Sequence, residues 1–169
     1  MFFLFLELKF NEMRIVKKIL VFLLLVFVIM QFFGPDKNNG EIASLDPFIQ
    51  ETMPADEVVL VLKQACYDCH SDFTRYPWYN NITPINYWLN DHVEHGKKEL
   101  NFSKWAEYSL KRKDHKLEEV IEMVEKKEMP LPSYTWTHKD AKLSDTQIQS
   151  VKAWAEKVRL SYSLLPKPE

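Results

Sequence analysis

"QACYDCHSDFTRYPWYN", residues 64–80, sets two cysteines three positions apart, puts a histidine directly after the second, and runs on into Tyr76, Trp78 and Tyr79. Residues three apart lie on one side of a helical turn, so Cys66 and Cys69 can present their sulfurs together. The stretch leading into them, "EVVLVLKQA" at 57–65, comes just after Pro54 and Asp56 and opens with Glu57, all first-turn helix signals. Taken alone, VVLVL suits a strand. The acidic, proline-led start and the length of the segment favour a helix that delivers Cys66 at its end.

Downstream the apolar spacing stays helical. Thr83 and Pro84 open a helix whose Ile85, Trp88, Leu89, His92, Val93, Gly96 and Leu100 fall at offsets of three and four, with His92 at the centre of the inward face. A third helix is expected from Lys116 to Lys127, with Leu117, Val120, Ile121 and Val124 as its stripe and Met123 off it. A last helix begins at Ser144, where Gln147 completes a capping box and Ile148, Val151, Trp154, Ala155 and Val158 turn inward. No segment alternates as a half-buried strand does. The expected fold is an all-α domain of about four helices over residues 54–162, with a tail at 163–169.

The other end of the chain carries an address. Arg14, Lys17 and Lys18 precede "ILVFLLLVFVIMQFF" at 19–33, a basic flank followed by an apolar, export-competent run. No small-x-small cleavage pattern follows, so residues 1–33 are expected to remain as a signal anchor. It would cross the inner membrane once, with the basic flank in the cytoplasm and the domain in the periplasm. The alternative is a secretory signal that is cut to release the domain into the periplasm, and Met13 is a natural second start. Residues 34–53, rich in Gly, Pro, Asn and Asp, read as a linker. A formal net charge of -2 gives no electrostatic reason to expect nucleic acid. The chain has 2 cysteines, both in the opening stretch, which excludes a disulfide scaffold and a thiolate-rich structural zinc site.

C-x-x-C-H is the signature of covalent haem attachment. Cys66 and Cys69 would form thioethers to the two vinyl groups of one haem, and His70 would bind the iron as proximal ligand. A thioredoxin-like cysteine pair is the competitor, and it needs a βαβ context that the pattern lacks. A haem that only carries electrons takes a sixth ligand, and a Met thioether raises its potential. Met129, in "EKKEMPLPSYTWTH" at 125–138, sits just past the third helix on a segment stiffened by Pro130 and Pro132. His92 is the rival ligand, or else a hydrogen-bonded core histidine. Tyr76 and Trp78 can wall the porphyrin or join the aromatic core. A carbonyl near Pro77 or Pro84 is expected to accept the Nδ1 proton of His70.

"CYDCHSDFTRYPWYNNITPINYWLNDHVEHGKKELNFSKW" at 66–105, "EMPLPSYTWTHKDAKLS" at 128–144 and "VKAWA" at 151–155 together resemble the small haem-binding domain of the c-type cytochrome superfamily found in exported proteins of Bacteroidetes-type bacteria. The resemblance spans residues 55–160. It implies a cytochrome-c-like helical fold with one covalent haem c, Cys66, Cys69 and His70 at the attachment site and Met129 at the Met-Pro position. The expected function is that of a monohaem c-type cytochrome, an electron carrier rather than an enzyme, which passes single electrons between redox partner proteins. The alternative is a five-coordinate haem sensor or peroxidase-like enzyme, in which His92 or an open distal side replaces Met129.

Overall fold

The computed structural model describes residues 2–165, with side chains described from residue 12. Among the described residues there are eight α-helices, several short 3-10 turns and no strand beyond one isolated bridge between Asn39 and Phe73. The all-α expectation holds. The helix count is higher than expected because short turns, each too brief to show a stripe, separate the longer helices.

The chain forms two compact units, Met1–Asp36 with Pro77–Asn90, and Lys37–Tyr76 with Asp91–Glu169. In the first, helix α1 (Phe2–Met30) exposes its apolar residues all round from Ile19 to Met30. Twelve residues of helix rise about 18 Å against a hydrocarbon core of about 30 Å. Among the described residues no helix is long and apolar enough to cross a membrane, and the expected single-pass span is not found among them. The end of α1 is tied down by Gln31. Its Nε2 donates to the carbonyls of Phe27 (2.8 Å) and Thr83 (3.0 Å), and its Oε1 accepts from the Thr83 N–H at 3.0 Å. Thr83 is 2% exposed, and its hydroxyl donates to the Phe33 carbonyl.

The second unit holds the core. The segment expected as a linker is folded from Lys37 on. Gly40 donates its N–H to the Asp72 carbonyl at 2.7 Å, and a Cβ there would lie 2.4 Å from that same oxygen. A 3-10 turn at Ile42–Leu45 and helix α2 (Asp46–Thr52) then bury Leu45, Phe48 and Thr52. Polar and small residues disguise this stretch as linker, but one fully buried phenylalanine is enough to anchor it.

Helix α3 (Asp56–Ala65) forms where expected, buries Val58, Val61 and Leu62, and is followed by the single turn α4 (Tyr67–His70). Helix α5 (Ile85–Glu99) starts at the expected residue, and Val93 on it is buried. Trp88, expected on the inward face, is 47% exposed. A 3-10 turn at Phe102–Glu107 supplies Phe102 and Trp105, which stack around Phe48 at 4.6 and 5.2 Å.

Helix α6 (Leu110–Glu125) begins six residues earlier than expected. Ser109 caps it by accepting from the Arg112 N–H, a signal hidden in front of the polar run KRKDHK. After the single turn α7 (Pro132–Thr135), helix α8 (Asp145–Ser163) opens with the predicted Ser144–Gln147 capping box. It buries all five predicted residues and Tyr162, and it packs along α6. Of the expected tail, residues 166–169 lie outside the described residues.

Candidate functional site

The turn that carries Cys66, Cys69 and His70 exists because α3 stops at Ala65. Cys66 leaves helical geometry (φ -123°, ψ -47°) while still donating its N–H to the Leu62 carbonyl. The next turn closes on the Cys66 carbonyl, which accepts from Cys69 N at 3.2 Å and His70 N at 2.9 Å. Cys66, Cys69 and His70 are thus gathered on one turn, as the spacing predicted.

Helix α5 lies against this turn through its one glycine. A Cβ on Gly96 would stand 2.5 Å from the Cys69 carbonyl oxygen and 3.0 Å from the Cys69 Cβ. Only a bare backbone fits that approach. It brings the end of α5 behind His70, whose Nδ1 lies 2.9 Å from the Leu100 carbonyl oxygen. Nδ1 therefore carries the proton and donates it, and Nε2 is left as the nitrogen that can bind a metal. The expected acceptor near Pro77 or Pro84 is corrected to Leu100. A carbonyl beyond the last turn of a helix, 30 residues away, has no signature in the neighbourhood of the histidine.

Electrostatics suit the same chemistry. Burial pushes His70 below its usual value, against the opposing effect of the Leu100 hydrogen bond, so the ring is neutral and able to ligate. Both cysteines are free thiols. Burial pushes Cys66 up to about 12, with the neighbouring Cys69 adding to the shift. Cys69 is also raised to about 12 by burial, with Asp68 adding to it. A redox-active pair needs a lowered thiol pKa, the opposite of this. Protonated thiols one turn apart beside a neutral imidazole are a donor set that fits a haem, two sulfurs for its vinyl groups and one nitrogen for its iron. Among the described residues no cluster of three or more His, Cys, Asp or Glu is suited to a metal ion alone.

Inside the motif sits a group that the sequence reading passed over. Asp68 is 6% exposed and both its oxygens are used. Oδ1 accepts from Arg75 N and Nε at 3.0 Å each. Oδ2 accepts from Arg75 Nη2 at 3.0 Å and from the Tyr134 hydroxyl at 2.6 Å. Tyr134 is held well above the usual tyrosine range, by burial first and then by this bond to Asp68. The residues between the cysteines carry no periodic signal, so nothing local marked Asp68. Gly96 did offer one, because a glycine in mid-helix costs about 1 kcal/mol relative to Ala and points to close approach.

The remaining predicted residues lie on other segments. Met129 is half-buried just past α6, its N–H donating to the Met123 carbonyl at 3.2 Å. His92 is half-buried on α5, one turn before Gly96 on the same face. Tyr76 is half-buried, and its hydroxyl accepts from the Asn38 N–H at 2.8 Å. Trp78 belongs to the other unit, 76% exposed, with its ring edge-on to Tyr79, so it is not aromatic core.

A family model described as a haem-binding domain matches residues 25–157. Searches of curated proteins and of solved structures gave no match. The match covers most of the chain and contains the turn of Cys66, Cys69 and His70, and the chain belongs to the haem-binding domain family.

Proposed function

We propose that this haem-binding protein is a monohaem c-type cytochrome with a cytochrome-c-like domain, an electron carrier working on the periplasmic side of the inner membrane. The observation that carries the reading is the His70 imidazole, fixed by the Leu100 carbonyl on the same turn that gathers Cys66 and Cys69. Cys66 and Cys69 would hold the haem by thioethers, and His70 would bind its iron through Nε2. When bound, the haem supplies a one-electron couple. The chain fixes the ring orientation of His70 and keeps the imidazole neutral.

Met129 is the proposed sixth ligand. Met129 lies past α6 on a segment stiffened by Pro130 and Pro132, and it would supply a thioether sulfur, the ligand that suits an electron carrier; His92 on α5 is the rival. The exposed apolar face of α1 supports the membrane assignment. A helix apolar all round is stable when buried, and Lys17 and Lys18 can extend their stems to reach the headgroups.

Optical spectroscopy tests the carrier reading. The oxidised protein is expected to show the weak near-infrared absorption of thioether-ligated ferric haem. Met129→Ala should remove it, lower the reduction potential and open the iron to carbon monoxide, while His92→Ala should leave it in place. Ready carbon monoxide binding by the wild type, with Met129→Ala changing neither spectrum nor potential, would favour a five-coordinate sensor or peroxidase instead.

A further inference from the structure

We infer that Tyr134, through its hydrogen bond to Asp68, is a positioning residue that sets the register of the Met129 segment against the haem attachment turn. The inference rests on the proposed ligation by Met129 and adds the device that holds that ligand in reach.

Asp68 is held independently of Tyr134. It sits inside the two-residue spacer between the cysteines, so its place follows from theirs, and Arg75 clamps the carboxylate from three nitrogens. The one short bond left, 2.6 Å from the Tyr134 hydroxyl, comes from a segment 66 residues away. The same hydroxyl lies 3.3 Å from the Gln64 carbonyl, and the Tyr134 ring stacks on His138 with centroids 4.2 Å apart. A partly buried bond to a charged acceptor is directional, and neither the packing of the ring nor its stacking can replace it.

The link from Tyr134 back to Met129 is short and stiff. Pro130 and Pro132 fix two of the intervening φ angles. The Leu131 carbonyl accepts from the N–H groups of Tyr134 (3.0 Å) and Thr135 (3.1 Å), closing α7 as a rigid turn. At its other end the segment is held by the Met123 carbonyl, which accepts from Glu128 N at 3.0 Å and Met129 N at 3.2 Å. Met129 is thus strung between the end of α6 and the interior of the attachment motif. Releasing the second point leaves its sulfur free to move relative to His70 and the iron.

Tyr134→Phe keeps the ring and its stacking on His138 and removes only the hydroxyl. In the full-length holoprotein the variant should keep its haem, show a weakened thioether absorption, and bind carbon monoxide in the reduced state. The fraction of haem open to carbon monoxide should rise on the order of tenfold, equivalent to about 1.4 kcal/mol. Asp68→Asn, which keeps the size of the side chain and removes its charge, should shift the same spectrum in the same direction. Wild-type absorption with both variants unchanged in band and carbon monoxide binding, even if less stable to heat, overturns the inference alone. Absence of the thioether absorption in the wild type overturns Met129 ligation and this inference together.

Discussion

A single methyl group at residue 96 decides whether α5 can reach the attachment turn. Gly96→Ala would place a carbon 2.5 Å from a backbone oxygen that cannot rotate away, so the helix or the turn must move. The expected result is destabilisation by about 1–3 kcal/mol, read as a lower midpoint in denaturant. It should be accompanied by a change in the haem spectrum as the Leu100 carbonyl withdraws from His70. A variant that unfolds early but keeps an unaltered spectrum would show that the approach serves packing alone. That Cys66, Cys69 and His70 share one turn was readable from the chain because their spacing alone sets it. Asp68, Arg75, Tyr134 and Leu100 were not, since each acts through a partner distant in sequence or through a backbone atom, and neither leaves a local pattern.

Glu51 on α2 joins two other helices. Its carboxylate accepts from Lys113 Nζ of α6 and from the Tyr162 hydroxyl of α8, each at 2.6 Å. Burial pushes its carboxyl up, but these two bonds outweigh burial and leave it below its usual 4.5. A lowered carboxylate contributes stability that is fully present above 4.5 and is lost as pH falls through the lower folded value. Glu51→Gln should therefore unfold more readily than the wild type at neutral pH, with the gap narrowing in acid. A gap of constant size across that range would contradict the account. Helices α3, α5 and α8 were readable from caps and stripes. Residues 37–52 and 101–108 were not, because their burial depends on isolated aromatics in 3-10 turns and one short helix, and neither repeats often enough to show a period.

For the protein as a unit, the exposed apolar length of α1 and the haem turn give two separable outcomes. The full chain should sediment with membranes and stay there through an alkaline wash, and deletion of residues 1–33 should release it. Release of the full chain by salt alone would show that charge, not apolar insertion, holds it. Cys66 and Cys69 are proposed to hold the haem covalently, with His70 on its iron. Intact mass measured after denaturation in acidic organic solvent tests this most directly. The expected result is a chain heavier by one haem, no haem in the solvent, and loss of the added mass in the Cys66→Ala, Cys69→Ala double variant. A bare polypeptide mass with all the haem extracted would contradict it.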